Sequence, residues 1–443
     1  MTLTADEPAI DLPDGEALAP WRPTALLSRL LGITRGEAAT VIVAVVVAAV
    51  LTVAGVAPVL RHRSSGDEIA APTPASGARD VTPSVDRPAA PVVPAPLNTG
   101  ASPTFAPETS AGDSSTSSGT TDPTPSGPTS PPTGELGTFA EVGSPGAPDG
   151  IAVDRDGTVY VATNNGTAQG ESGPSRILTF DRSGKPGRSY SITGQPDRHA
   201  LGLTGLVLDG EGGIIALDAA TGRILRVNRA SGAQTEYSAL FDLPACQLVV
   251  AAVNGCEPGV GDDQPLPRNA AFDVAGNLFV TDSAQGTVWK VPAGGGKAEA
   301  WFSDASFGGE GVSGIALADD GALLVASPQA LDPAAGGGGA VYRIAVEDGK
   351  PGAKTLLASF PRGESPFGIA ALSDGSFVVA LQGANAVALI GKDGAEVRRV
   401  QGRAGDVSMD APTGLAFLGS VLLVTNQAPG TKANWAVLTV GVN

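Results

Sequence analysis

From residue 148 to the end of the chain, one short pattern recurs: a small residue, an apolar triplet, a polar turn rich in Asp and Gly, then a second run that alternates apolar and polar positions. The copies read PDGIAVDRDGTVYVAT, LTGLVLDGEGGIIALDA, PRNAAFDVAGNLFVTDS, VSGIALADDGALLVASP, PFGIAALSDGSFVVALQ and PTGLAFLGSVLLVTNQ. Alternation over four to eight residues predicts half-buried strands, and Asp-Gly between two such runs predicts a hairpin. In the first copy this places strands over 151–154 and 158–163 around Asp156-Gly157.

A third apolar run follows in every copy (RILTFD, RILRVN, TVWKVP, AVYRIA, AVALIG and WAVLTV), and a fourth follows in five of them (RSYSIT, QTEYSAL, AEAWFS, TLLASF and EVRRVQ). The last copy has no fourth run, but one strand-like piece, LGTFAEV at 136–142, stands before the first. Pairing that piece with the last copy completes six four-stranded units and removes an edge that would otherwise be open to aggregation. The small residues that begin each copy, Gly150, Gly205, Asn269, Gly314, Gly368 and Gly414, are spaced as one propeller blade per repeat requires. They suit innermost strands, where backbones converge on an axis. The expectation is an all-β, six-bladed β-propeller over 136–443, preceded by a disordered linker and one transmembrane helix.

Composition sets the remaining boundaries. Residues 64–135 are dominated by Pro, Ser, Thr, Ala and Gly, which bury too little apolar surface to offset ordering entropy, so this stretch reads as a disordered linker. Residues 38–60 form an uncharged apolar run closed by Arg61, His62 and Arg63, long enough to cross a bilayer. A cleaved signal peptide is the alternative, but its apolar core would be shorter and begin earlier. Residues 1–37 are then a short cytoplasmic segment. Arginines flank both sides of 38–60, so charge barely orients it. The spacer, and a disulfide between Cys246 and Cys256, the only cysteines, place the propeller outside the cell membrane; two reduced thiols are the alternative.

Twenty-eight basic residues against 45 acidic give a net charge of −17, which argues against a nucleic-acid partner. The Asp-rich turns are too short to be calcium loops of the helix-flanked kind. Of the two histidines, His62 stands beside the apolar run, so a Ser-His-Asp triad would need His199, and a His-rich metal cluster is excluded.

The phrases PDGIAVDRDGTVYVAT and PRNAAFDVAGNLFVTDSAQGTVWKVP resemble the NHL-repeat proteins and the senescence-marker/gluconolactonase family, both six-bladed propellers. In the gluconolactonase group the resemblance implies a divalent cation at the channel mouth, held by a Glu of the first blade and by Asn and Asp residues just before the small anchors. The corresponding positions here are Asp149, Thr204, Arg268, Ser313, Phe367 and Thr413, of which only Asp149 is a carboxylate. The order of anchor, linker and propeller also resembles receptor kinases with an outer NHL-type sensor, but 37 residues are too few for a kinase. The function expected is a membrane-anchored binding module for a small molecule, glycan or protein. Its mouth would be formed by Asp149, His199, Arg268, Asp282 and Glu310 with Phe367 as an apolar contact, or Asp149 and Arg268 would simply pair with each other. The alternative is a hydrolase of the gluconolactonase type that uses Asp149 with other mouth carboxylates, Glu364 and Asp410 among them, to hold Ca²⁺ or another divalent cation.

Overall fold

The computed structural model describes residues 127–246, 256–257, 263–308 and 310–442. The expected cytoplasmic segment 1–37, the transmembrane segment 38–60 and most of the linker lie outside the described residues. Among the described residues no helix is long and apolar enough to cross a membrane.

The described residues form six four-stranded antiparallel sheets. The first blade comprises Ala147–Val153, Val159–Asn164, Arg176–Phe180 and Pro186–Ser191. The second runs Leu203–Leu208, Gly213–Asp218, Arg223–Asn228 and Gln234–Ala239, and the third Pro267–Phe272, Leu278–Asp282, Thr287–Val291 and Glu299–Ser303. The fourth is built from Ile315–Leu317, Leu323–Ser327, Gly339–Glu347 and Lys350–Phe360, and the fifth from Pro366–Ala371, Phe377–Leu381, Ala386–Ile390 and Glu396–Gln401. In the sixth, Pro412–Leu418, Val421–Asn426 and Ala436–Val440 are completed by Leu136–Glu141, with Leu136 opposite Val440 and Glu141 opposite Ala436. The innermost strand of each blade touches the innermost strands on both sides, so the ring closes.

The hairpin turns follow from the Asp-Gly chemistry. Asp154 exchanges backbone hydrogen bonds with Thr158 and Gly157, while Asp156 Oδ1 accepts the Thr158 N–H at 2.8 Å. Gly157 takes φ of 85°, in the left-handed region that ends a three-residue hairpin loop. Asp209, Asp273, Asp320 and Asp374 accept backbone N–H groups in the same way at their own turns. These carboxylates are occupied by the turns they build.

Glycine at the inner anchors is a matter of space. A Cβ on Gly314 would be driven into the carbonyl oxygen of Phe367 in the next blade, and one on Gly150 would stand 2.6 Å from Gly205 Cα. Between blades, apolar side chains form the core: Phe139, Val142 and Trp435 of the closing blade pack with Val159, Val161 and Phe180 of the first.

Pro132 accepts the Glu135 N–H at 2.9 Å in a tight turn, after which Gly134 and Glu135 exchange backbone hydrogen bonds with Gly441. A Pro-Pro-Thr-Gly turn supplies its own geometry, and with it the chain joins the ring before the first strand. Cys246 and Cys256 are disulfide-bonded in the insertion between the second and third blades, where Cys246 and Glu257 also share a backbone hydrogen bond.

Candidate binding site at the channel mouth

The residues that precede the small anchors divide into two alternating sets. Thr204 Oγ1 donates to the Pro267 carbonyl of the next blade at 2.7 Å, and Ser313 Oγ to the Pro366 carbonyl at 3.1 Å. Thr413 Oγ1 donates to the Asp149 carbonyl at 3.0 Å, a carbonyl that also accepts from Thr425 Oγ1. The hydroxyls of the second, fourth and sixth blades thus stitch each innermost strand to its successor. The three remaining positions, Asp149, Arg268 and Phe367, belong to the first, third and fifth blades and carry the chemistry.

Asp149 is 2% exposed and accepts hydrogen bonds from Asn164 Nδ2 at 3.2 Å and Gln427 Nε2 at 3.1 Å. Burial raises its carboxyl from the ordinary 3.8 to about 6, against the opposing pull of the Arg268 charge and of its hydrogen bonds. Arg268 is half-buried, and its guanidinium lies over the Phe367 ring at 4.6 Å from the centroid. Desolvation holds its pKa below the ordinary value, while the nearby Asp149 pulls the other way. No hydrogen bond or ion pair joins Arg268 to an acceptor among the described residues. Five N–H donors meet an aromatic face and a charge at longer range, but no oxygen.

Arg268, Phe367 and Glu310 line one cavity of about 280 Å³ together with Leu266, Ser283 and Pro328. Ser283, Pro328 and Gln382, which also reaches this cavity, each directly follow the second strand of their blade; Gln427 does the same in the sixth. Three of these line the cavity and Gln427 bonds Asp149; none was singled out in the sequence, although the repeat register alone would have found them.

The other sequence-derived candidates fall elsewhere. Asp282 is fully buried at the end of its strand and accepts the N–H groups of Leu266, Ala284 and Gln285 and the indole N–H of Trp289, at 2.9 to 3.1 Å. It locks the loop entering its own blade, as Asn426 does when its Oδ1 accepts from Asp410 N at 2.7 Å. His199 is buried, with Nδ1 2.9 Å from the Pro196 carbonyl and Nε2 lacking a partner, and it lines neither described cavity. Glu364 is held by both guanidinium nitrogens of Arg399, at 2.7 and 2.9 Å.

The donor set does not suit a divalent cation. Among the described residues no three His, Cys, Asp or Glu side chains converge on a point. Asp149 stands as a single carboxylate with a cation beside it, and the side-chain oxygen of its neighbour Asn164 is already taken by the backbone N–H groups of Gly166 and Gly202. A hard cation needs several converging oxygens.

The chain matches no family model and no curated protein. Among solved structures it is similar to a virginiamycin B lyase from Staphylococcus aureus, at 16% identity over 69% of this chain and 98% of that one, with a TM-score of 0.46. It is also similar to a gluconolactonase from Xanthomonas campestris, at 15% identity over 69% and 88%, with a TM-score of 0.47. A calcium-binding regucalcin from Agrobacterium tumefaciens gives 17% identity over 69% and 95%, with a TM-score of 0.46. Likeness at this level leaves the chemistry to the chain's own side chains.

Proposed function

We propose that this protein is a ligand-binding β-propeller that takes a small molecule into the channel-mouth cavity and presents Arg268 to an acidic group of that ligand. The observation that carries this reading is the state of Arg268: partly desolvated, oriented by the Phe367 ring and without an oxygen acceptor from the protein. A guanidinium in that state is a fork suited to a carboxylate, which accepts two parallel N–H bonds. Asp149 supports it from behind, because its amide partners Asn164 and Gln427 hold the carboxyl within the field of Arg268. A concave, mostly apolar cavity with a few convergent polar groups is the usual form of such a site.

The same reading sets the ring outside a cell membrane, held by residues 38–60 and spaced from it by the Pro/Ser/Thr-rich segment. The Cys246–Cys256 disulfide supports that compartment. The test is thermal unfolding of the full-length chain with a panel of mono- and dicarboxylates, amino acids, sugar acids and phosphate esters. At least one should raise the melting temperature in a dose-dependent way, as a ligand bound to the native state alone must, and Arg268→Gln should abolish the rise. No rise with any of them, or a rise that Arg268→Gln leaves intact, removes this reading.

A further inference from the structure

Arg268 and Glu310 carry opposite charges into the wall of one cavity, yet no ion pair joins them, and Glu310 has no hydrogen-bond or ion-pair partner among the described residues. Glu310 is exposed, so its carboxylate rests in water, whereas Arg268 is half-buried. The rest of the lining is mixed, with Leu266, Pro328 and Phe367 apolar and Ser283, Ser313 and Gln382 polar. From this juxtaposition we infer that the ligand is a zwitterion of the α-amino-acid type, its carboxylate on Arg268 and its ammonium on Glu310. This inference rests on the assignment of the cavity as a ligand site with Arg268 as anchor.

Two further observations favour a zwitterion over a simple anion. With Asp149 near Arg268 and Glu310 lining the same cavity, the mouth does not carry the surplus of positive charge that a phosphate or dicarboxylate would need. The whole chain bears a net charge of −17, a field that repels free anions during approach but leaves a net-neutral molecule unaffected. Recognition of both ends then supplies specificity, since a ligand lacking either group leaves one protein charge unpaired.

Size agrees. At about 280 Å³ the cavity lies just below the roughly 300–1,000 Å³ of pockets for drug-sized ligands. A second cavity of about 230 Å³ shares Glu310 and Pro328 with the first and extends the cleft past Arg362 and Ser365. That second cavity offers room for an amino-acid side chain beside Glu310.

The experiment is isothermal titration of the full-length chain with each of the twenty common L-amino acids, followed by the N-acetyl and carboxamide derivatives of any that bind. The inference expects at least one amino acid to bind, with both derivatives weaker by tenfold or more. Glu310→Gln should erase the preference for the free ammonium while leaving the N-acetyl derivative's affinity unchanged, and Arg268→Gln should erase the preference over the carboxamide. Circular dichroism of both variants checks that the ring still folds. An N-acetyl derivative that binds as tightly as its parent, with Glu310→Gln silent, overturns the zwitterion and leaves the Arg268 anchor standing. If no amino acid binds, the inference is overturned, and the carboxylate panel separately decides the fate of the anchor.

Discussion

The guanidinium of Arg268 lies over the ring of Phe367, 4.6 Å from its centroid, so that side chains of the third and fifth blades meet across the mouth while the hydroxyl of Ser313, from the blade between them, ties its strand to Pro366. Among the described residues the ring's negative face is the one group that holds the guanidinium at close range. Partly desolvated cation–π pairs are worth roughly 1 kcal/mol. A double-mutant cycle with Phe367→Leu and Arg268→Met, followed by denaturant unfolding, should therefore return a coupling energy of about 1 kcal/mol. Additive effects of the two substitutions would mean that the stacked geometry is not populated.

Closure of the ring rests on the strand Leu136–Glu141, whose Phe139 packs edge-to-face on Phe180 of the first blade, with centroids 6.4 Å apart. Phe139 is 7% exposed and shares its cluster with Trp435 and Val437 of the closing sheet. Phe139→Ala removes a buried aromatic and leaves a cavity, a loss of roughly 3–5 kcal/mol. Unfolding in urea should show it as a lower midpoint; an unchanged midpoint would mean that the strand is dispensable for closure.

Asp282 separates a structural from a ligand-facing role. Its two oxygens, themselves fully buried, accept three backbone N–H groups and the Trp289 indole, the bonds from Gln285 and Trp289 being shielded from water. Asp282→Ala should cost on the order of 3 kcal/mol or more, because several buried donors lose their acceptor together. Asp282→Asn keeps one acceptor oxygen and should cost less. Both effects should be visible in the melting temperature with no ligand present; normal stability with altered ligand affinity would return Asp282 to the mouth.

The blade arithmetic was legible because hydrophobic alternation is local, and an unpaired sixth edge leaves the 136–142 segment one natural place to go. The site was legible only where the relevant contact stays within the repeat register. Arg268 and Phe367 stand out because a charge and an aromatic ring occupy positions that hydroxyls fill in Thr204, Ser313 and Thr413. That those hydroxyls bond the next blade's carbonyls depends on how closely inner strands approach, which no single copy reveals. Asn164 and Gln427 sit at and just after the ends of second strands, and their convergence on Asp149 links residues up to 278 positions apart. Asp282 and Asn426 occupy equivalent strand ends and both accept from the loop entering their blade, so Asp282 is a loop clamp whose residue type alone suggested chemistry. His199 follows the same logic: its buried imidazole serves the loop through Pro196.

Asp149 makes stability depend on pH in a direction opposite to most carboxylates. Its carboxyl is held at about 6 in the fold, against the ordinary 3.8, chiefly because burial disfavours the charge. The folded state thus binds a proton more tightly than the unfolded chain, so the contribution of this group is fully stabilising below pH 4 and is lost as pH rises through 6. By neutral pH the cost of ionising it inside the ring is on the order of 3 kcal/mol. Asp181, Asp304, Asp320 and Asp374 are pulled below the ordinary carboxylate value by hydrogen bonds or by a lysine or arginine, so they act in the opposite sense as acid is added. The difference between wild type and Asp149→Asn removes that background. Plotted against pH, the stability of the wild type relative to Asp149→Asn should fall between about pH 4 and 6 and be flat above about 7, since the asparagine keeps an oxygen for Asn164 and Gln427 but cannot ionise. A flat difference across the whole range, measured by denaturant unfolding at each pH, would show that Arg268 and the amide donors hold the carboxyl ionised in the fold as readily as water does.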